Sequence, residues 1–367
     1  MVNTTDAGAV KGRAPLKPLL LVSTKGQSGK SVVAIGVFLK FKENGYVPGY
    51  MKPIGDPMSM HPTLKTDKDV NVITAVVARK FSKEEICPVF LNPGLYLDEV
   101  LPNETAEIEA KIKDAFQSMK AKTNIMILEG NHSGYQFRLI GLDDAHWAKE
   151  FDANVVICAP IKDDDDLNDA VAMYDYYTMQ GIHVAGVILN GLTENAFARI
   201  EKYHKPLLEK RGITVIGGLR ESRQLMKPTI AEVMDAVGGR LIAGNYVKVK
   251  NNLIDSFMIG AMGAEKALNY LRKGVDQCVI TGGDRADIAL AALETNVAMM
   301  VFTGNMEPPT SVISLADQKG VPLIVAPGDT FTVSEQIRKI HVQIQPGEIE
   351  ICREQVEKYI DWSKIPK

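Results

Sequence analysis

Short apolar runs of strand length alternate with stretches whose apolar residues recur at helical spacing. Residues 18–23 (PLLLVS) form the first run. A glycine-rich turn follows, and then SVVAIGVFLKFKENG carries apolar residues at the helical period, with Gly45 as its stop signal. Further strands are expected at 46–51, 124–128 (NIMIL), 154–159 (NVVICA), 183–189 (HVAGVIL) and 213–216, with helices at 104–119 and 167–179. Strands that read as near-continuous apolar runs and alternate with helices imply an α/β fold, with a mostly parallel sheet and helices on both faces.

Near Gly238 the alternation loosens into GGRLIAGNYVKVKNN, a polar stretch expected to cross between domains at 244–252. A second alternation then begins, with helices at 264–271, 286–294 and 311–318 and strands at 277–281, 297–302 and 321–325. The expected organisation is a loose leader over 1–17, a larger α/β domain over 18–243, a smaller α/β domain over 252–345 and an amphipathic helix within 346–367.

Composition changes this picture little. A length of 367 residues suits two domains. With 46% hydrophobic and 24% charged residues, the chain can bury a full core unaided. The formal net charge of -3 argues against a nucleic-acid backbone as main partner. Cys87, Cys158, Cys278 and Cys352 are scattered without a CxxC pair, which fits neither a zinc site nor a disulfide framework and points to a reducing cytoplasm. The longest apolar runs fall far short of a membrane span, and the N-terminal stretch lacks the apolar core of a secretory signal, so no membrane partner is expected.

The chemistry concentrates in Ser23-Thr24-Lys25-Gly26-Gln27-Ser28-Gly29-Lys30-Ser31, between a strand and a helix, where a phosphate-binding loop belongs. Gly26 and Gly29 let the backbone turn its N–H groups toward one point, and the helix N-terminus adds its positive dipole end. Lys30 would face the terminal phosphates and the Ser31 hydroxyl would ligate Mg²⁺. ATP and Mg²⁺ are therefore the expected cofactors, with Lys25, Gly26, Gln27, Ser28, Gly29, Lys30 and Ser31 as nucleotide contacts. Thr24 stands where GxxxxGK[ST] has its first Gly, so the plain motif is incomplete.

A lysine five residues before the loop lysine makes the loop resemble the deviant Walker A loop of MinD-like and dethiobiotin-synthetase-like ATPases. That resemblance implies a homodimer in which Lys25 reaches the partner's nucleotide; a solvated loop charge is the alternative. Met51-Lys52-Pro53-Ile54 is similar to the synthetases' K-P-[VI], which implies Lys52 beside the γ-phosphate and the substrate. Asp67 and Asp69 in KTDKDV resemble that family's acidic residue near the metal, and Asp69 is the choice; the alternative is a solvated turn. Leu128-Glu129-Gly130 resembles its Glu-Gly, implying Glu129 at the Mg²⁺, and the alternative is a capping carboxylate. Lys30, Lys52 and Glu129 form the implied catalytic set. Gly186-Val187-Ile188-Leu189-Asn190 resembles its GVILN, with Asn190 reading the adenine edge. The family's Ala-Gly-Gly is replaced by Asn131-His132-Ser133-Gly134, which weighs against dethiobiotin synthesis. His132 is an acid–base candidate or a structural hydrogen-bonder.

Thr281-Gly282-Gly283-Asp284-Arg285-Ala286-Asp287 follows a strand and opens a helix, and resembles the G-D-R-x-D-I of DRTGG domains. A dethiobiotin-synthetase-like P-loop domain joined to a DRTGG domain resembles the N-terminal part of long phosphotransacetylases, where it is regarded as regulatory. The acetyl-transferring domain of those enzymes is not expected here. Gly282, Gly283, Asp284 and Arg285 are the expected second site, for a small anionic ligand; alternatively Arg285 pairs with Asp284 or Asp287 and stiffens the turn. The acidic run at 163–166 reads as a helix start with Asp165 or Asp166 as cap, or as a cation site. Three functions stand: a nucleotide-dependent regulator with slow ATPase activity, an ATP-dependent ligase forming an acyl or carbamoyl phosphate, and a nucleotide-gated assembly factor.

Overall fold

The computed structural model describes residues 14–26, 28–57, 72–74, 76, 81–100, 104–340 and 342–367. Asp67, Asp69 and Gln27 lie outside the described residues. The chain divides into two compact units, Met1–Ser222 with Ile344–Lys367, and Arg223–Gln343.

The first unit is built on a six-stranded sheet in the order β2-β5-β1-β6-β7-β8. Its strands are β1 (Leu19–Ser23), β2 (Pro48–Met51), β5 (Ile125–Glu129), β6 (Asn154–Pro160), β7 (Val184–Leu192) and β8 (Val215–Arg220). Every pairing in it is parallel. A small parallel pair, β3 (Ile54–Gly55) with β4 (Val89–Phe90), lies beyond β2 in the chain. Every residue of β1 is buried, as expected of a strand covered on both faces. Helix α1 (Lys30–Glu43) packs Val33, Ile35, Val37, Phe38 and Phe41 into the core. Helices α2 (Thr105–Lys120), α3 (Asp144–Glu150) and α4 (Asp166–Met179) follow. The sequence placed α2 and α4 to within a residue or two and left α3 unassigned.

The last segment of the chain completes this unit. Its helix, Ile349–Tyr359, lies against α1. Gly36 makes that approach possible: a Cβ there would lie 2.8 Å from Val356 Cβ and closer still to the Cys352 carbonyl oxygen. Trp362 meets Phe41 edge-on at 4.8 Å, and Ile360 bridges to Gly217 on β8.

The second unit has a five-stranded sheet in the order β10-β11-β12-β13-β9. Strands β10 (Ser256–Ile259), β11 (Gln277–Gly282), β12 (Val297–Thr303) and β13 (Leu323–Val325) are parallel, whereas β9 (Arg240–Ala243) runs antiparallel to β13. The units therefore divide at Ser222, and the stretch expected to cross between domains at 244–252 falls inside the second unit. The physical reason is β9: this half-exposed edge strand reads as polar loop but pairs with β13 through Arg240, Leu241 and Ala243, with one register shift. A short helix, Ile230–Ala236, precedes it and is started by a Thr229–Glu232 capping box.

Candidate functional site

The site forms where the parallel strands end. β1 delivers the chain into the glycine-rich loop, and Gly29 turns it into α1 through a left-handed conformation, φ 74°. That conformation favours glycine, and the space above it is taken as well. A Cβ at Gly29 would lie 2.8 Å from Asn190 Cγ, because Asn190, at the end of β7, lays its amide across the loop and donates from Nδ2 to the Ser28 carbonyl at 2.9 Å. Apart from the adenine contact expected of it, Asn190 braces the loop from β7, two strands across the sheet from β1.

Lys30 begins α1 and is almost wholly buried. Burial lowers its pKa, opposed by the charges of Glu129 and Asp144, while the like charge of Lys52 lowers it further. Lys52, at the end of β2, is also buried and donates its N–H to the Ile86 carbonyl at 2.8 Å. Two buried lysines thus lie close enough for each to feel the other's charge, and a polyanionic ligand between them would be favoured. Thr24 Oγ1 and Ser28 Oγ are buried hydroxyls without a hydrogen-bond partner. Together with the loop glycine and the helix start they fit a bound phosphate chain.

Glu129 ends β5 and is buried. Its Oε1 accepts from Ser31 Oγ at 2.7 Å and its Oε2 from Tyr50 Oη at 2.8 Å. A hydroxyl and a carboxylate side by side at the start of α1 are hard oxygen donors of the kind Mg²⁺ takes, so this pair fits the ion. Behind Glu129 the chain turns through Gly130, where a Cβ would run into the Asp144 carboxylate. Asp144, in the first turn of α3, accepts from the Asn131 backbone N–H at 3.1 Å and from Asn131 Nδ2 at 2.8 Å. Burial pushes its carboxyl up to about 7, against the pull of those bonds and of Lys30. Gly134 then donates to the Ser23 carbonyl at 2.9 Å, which ties this turn to β1.

Lys25 makes an ion pair with Asp166 and approaches Asp169 at 3.5 Å, both on α4, so within this chain it is neither solvated alone nor reaching outward. The pairing raises its pKa and lowers that of Asp166 despite the burial of the carboxyl. The acidic run is a helix start, with its capping shared differently from the expectation. Asp165 occupies the cap position but its side chain accepts from Asn168 Nδ2 at 2.9 Å; Asp163 Oδ1 takes the N–H of Asp165 at 3.0 Å, and Asp166 Oδ2 takes that of Lys162 at 2.6 Å. His132 Nε2 lies 3.2 Å from Asp56 Oδ2, and both line a small pocket with Lys52, Asn131, Gln136 and Phe137.

In the second unit Gly282 ends β11 and Gly283 follows it, ahead of the helix Ala286–Leu293. Gly283 is required by a close approach, since a Cβ there would lie 2.6 Å from the Met306 carbonyl carbon. Arg285 is engaged internally. Its Nε is 3.1 Å from Asp287 Oδ1, its Nη2 donates to the Met262 carbonyl at 2.8 Å, and its Nη1 to that of Gly260 at 3.4 Å. Arg285 is thus paired with Asp287 rather than with Asp284, which makes no helix-capping hydrogen bond.

Sequence reasoning missed Tyr50, Asp144 and Asp166 as members of the site. Asp144 and Asp166 come from α3 and α4 and reach the loop only through the sheet's order. Tyr50, on β2 two residues before Lys52, was within reach of a strand-alternation argument.

The profile of the AAA domain family matches residues 17–229. The chain belongs to this family. A DRTGG domain matches residues 232–340, which completes the pairing that the motifs had suggested. Phosphate acetyltransferase of Nitratidesulfovibrio vulgaris is 23% identical over 95% of this chain and 51% of its own length. The AAA–DRTGG chain thus spans about half the length of that curated relative. ATP-dependent dethiobiotin synthetase of Methanocaldococcus jannaschii is 24% identical over 56% of this chain and 94% of its own. Among solved structures, the septum site-determining protein MinD of Pyrococcus horikoshii, complexed with Mg-ADP, superposes with a TM-score of 0.37 and 14% identity over 57% of this chain and 83% of its own. The two family matches and the synthetase relative make the architecture a P-loop NTPase-like domain with a DRTGG domain. Among the described residues no helix is long and apolar enough to cross a membrane.

Proposed function

We propose that this protein is an ATP·Mg²⁺-binding regulator of the cytoplasm, with slow ATPase activity and a DRTGG domain that senses a small anion. The observation that carries the reading is the loop itself. A left-handed Gly29, buried Lys30, two unpartnered buried hydroxyls and the Ser31–Glu129 pair converge at one helix N-terminus. The backbone of residues 25–31 would hold the phosphates, Lys30 and Lys52 would neutralise them, and Ser31 and Glu129 would hold Mg²⁺. Asp69 is proposed to join that metal site, and Lys25 to leave Asp166 when two copies meet across their loops. Bound Mg²⁺ would draw charge from the terminal phosphate, and the chain's own contribution is to position it and exclude water. The sensed anion would lie at 282–285, with Arg285 exchanging Asp287 for it.

Isothermal titration with ATP and Mg²⁺ tests the assignment. Lys30→Ala should weaken binding by about 1.5–3 kcal/mol, roughly ten- to hundredfold, the scale of a charge-assisted contact. Equal affinity in wild type and variant overturns the nucleotide site. The ligase reading draws support from the synthetase relatives, whose length this chain nearly covers, and formation of an acyl or carbamoyl phosphate from ATP would establish it.

A further inference from the structure

The Glu129 carboxylate is buried, and each of its oxygens has a hydroxyl donor of a different kind. Ser31 belongs to the first turn of α1, at the end of the phosphate loop. Tyr50 does not. It sits on β2, paired with β5 in the register Tyr50–Ile127 and Met51–Leu128, and its ring is fully buried. A phenylalanine would fill the same space, so ring packing does not call for the hydroxyl. The hydroxyl instead reaches across the strand pair to Glu129 Oε2. A buried carboxylate needs donors on both oxygens, and a phenol fixed in a core supplies one whose position cannot drift. The second oxygen, Oε1, is then turned toward Ser31, the hydroxyl assigned to Mg²⁺. Both side chains line one small cavity with Ser31 and Ile35.

We propose that Tyr50 is a positioning residue that clamps Oε2 of Glu129, leaving Oε1 as the oxygen presented to the divalent cation. The inference rests on the ATP·Mg²⁺ reading. Groups that orient a metal-holding carboxylate typically change affinity or activity by about 10–100-fold when removed. Tyr50→Phe deletes only the hydroxyl and keeps the ring.

The test is Mg²⁺ titration of the full chain at saturating ATP, followed by thermal shift and by calorimetry. Wild type should show a Mg²⁺-dependent increase in ATP affinity. Tyr50→Phe should need about 10–100-fold more Mg²⁺ for the same increase. In a Glu129→Gln background, adding Tyr50→Phe should cost nothing more, because the clamp then has no carboxylate to hold. Unchanged Mg²⁺ dependence in Tyr50→Phe, or a full second loss in the double variant, overturns the clamp. If the variant does not fold, wild-type protein labelled with fluorotyrosine decides instead. The Tyr50 resonance should move on Mg²⁺ addition in wild type and stay still in Glu129→Gln, and a resonance that stays still in both overturns the proposal. Failure of wild type to bind ATP at all would remove the functional reading, whereas ATP·Mg²⁺ binding with an indifferent Tyr50 would remove this inference alone.

Discussion

Replacing Gly29 by alanine probes the loop at its tightest point. Two costs are separable. A side chain in the left-handed conformation costs roughly 1–2 kcal/mol. The new Cβ also meets the Asn190 amide, with Cγ at 2.8 Å, so Asn190 must leave and give up its bond to the Ser28 carbonyl. A bond of that kind is worth about 0.5–1.5 kcal/mol. Gly29→Ala should therefore destabilise the first unit by about 1.5–3.5 kcal/mol. Asn190→Ala alone should cost about 1 kcal/mol, and almost nothing once Gly29→Ala is present, since the bond is already lost. Both tryptophans, Trp147 and Trp362, belong to the first unit, so urea unfolding followed by their fluorescence reports on it directly. A Gly29→Ala variant within about 0.5 kcal/mol of wild type, or strictly additive single variants, would refute this account of the brace.

Asp144 carries a pH prediction. Burial raises its carboxyl to about 7, so the folded chain keeps a proton that the unfolded chain releases near 4; the stability this gives is present at low pH and is lost as pH rises from about 4 to 7, at up to about 1.4 kcal/mol per unit. Asp144→Asn should flatten that dependence and raise the denaturation midpoint above wild type at pH 8; a parallel pH profile would count against it. Lys25→Ala should leave ATP affinity near wild type but abolish the ATP-dependent dimer in light scattering, and a dimer that persists would show that the lysine acts only through Asp166. Arg285→Ala should release the carbonyls of Gly260 and Met262, so hydrogen exchange at 260–262 should quicken while the helix Ala286–Leu293 stays protected; uniform quickening would place the arginine's role elsewhere.

The strand–loop–helix around residues 19–43 was legible because each of its signals is local: an apolar run, a glycine turn, a lysine and serine at the helix start. Glu129 was legible for the same reason, as an acid ending an apolar strand. Asp144 was not, because its partner Asn131 is thirteen positions away and no period links them. Nor was β9: Arg240 and Leu241 are exposed and only Ile242 and Ala243 reach the core, too short a run for periodicity to detect. Arg285 was placed correctly in the chain, but its fork is filled by carbonyls from residues 260 and 262, a loop that pattern reading left blank.

The contact of Ile349–Tyr359 with α1 bears on how the chain is made. A ribosome releases β1, the phosphate loop and all six strands of the first sheet before the segment that covers Gly36. Between them it must produce the whole of Arg223–Gln343. The nascent phosphate-loop unit therefore waits, with the Gly36 face of α1 bare, for the length of an entire second unit, whose own sheet is closed within its own stretch of sequence. Of the two, the later-encoded unit can be the first to finish folding, and α1 reaches its final packing only after the last turn of the closing helix has left the exit tunnel.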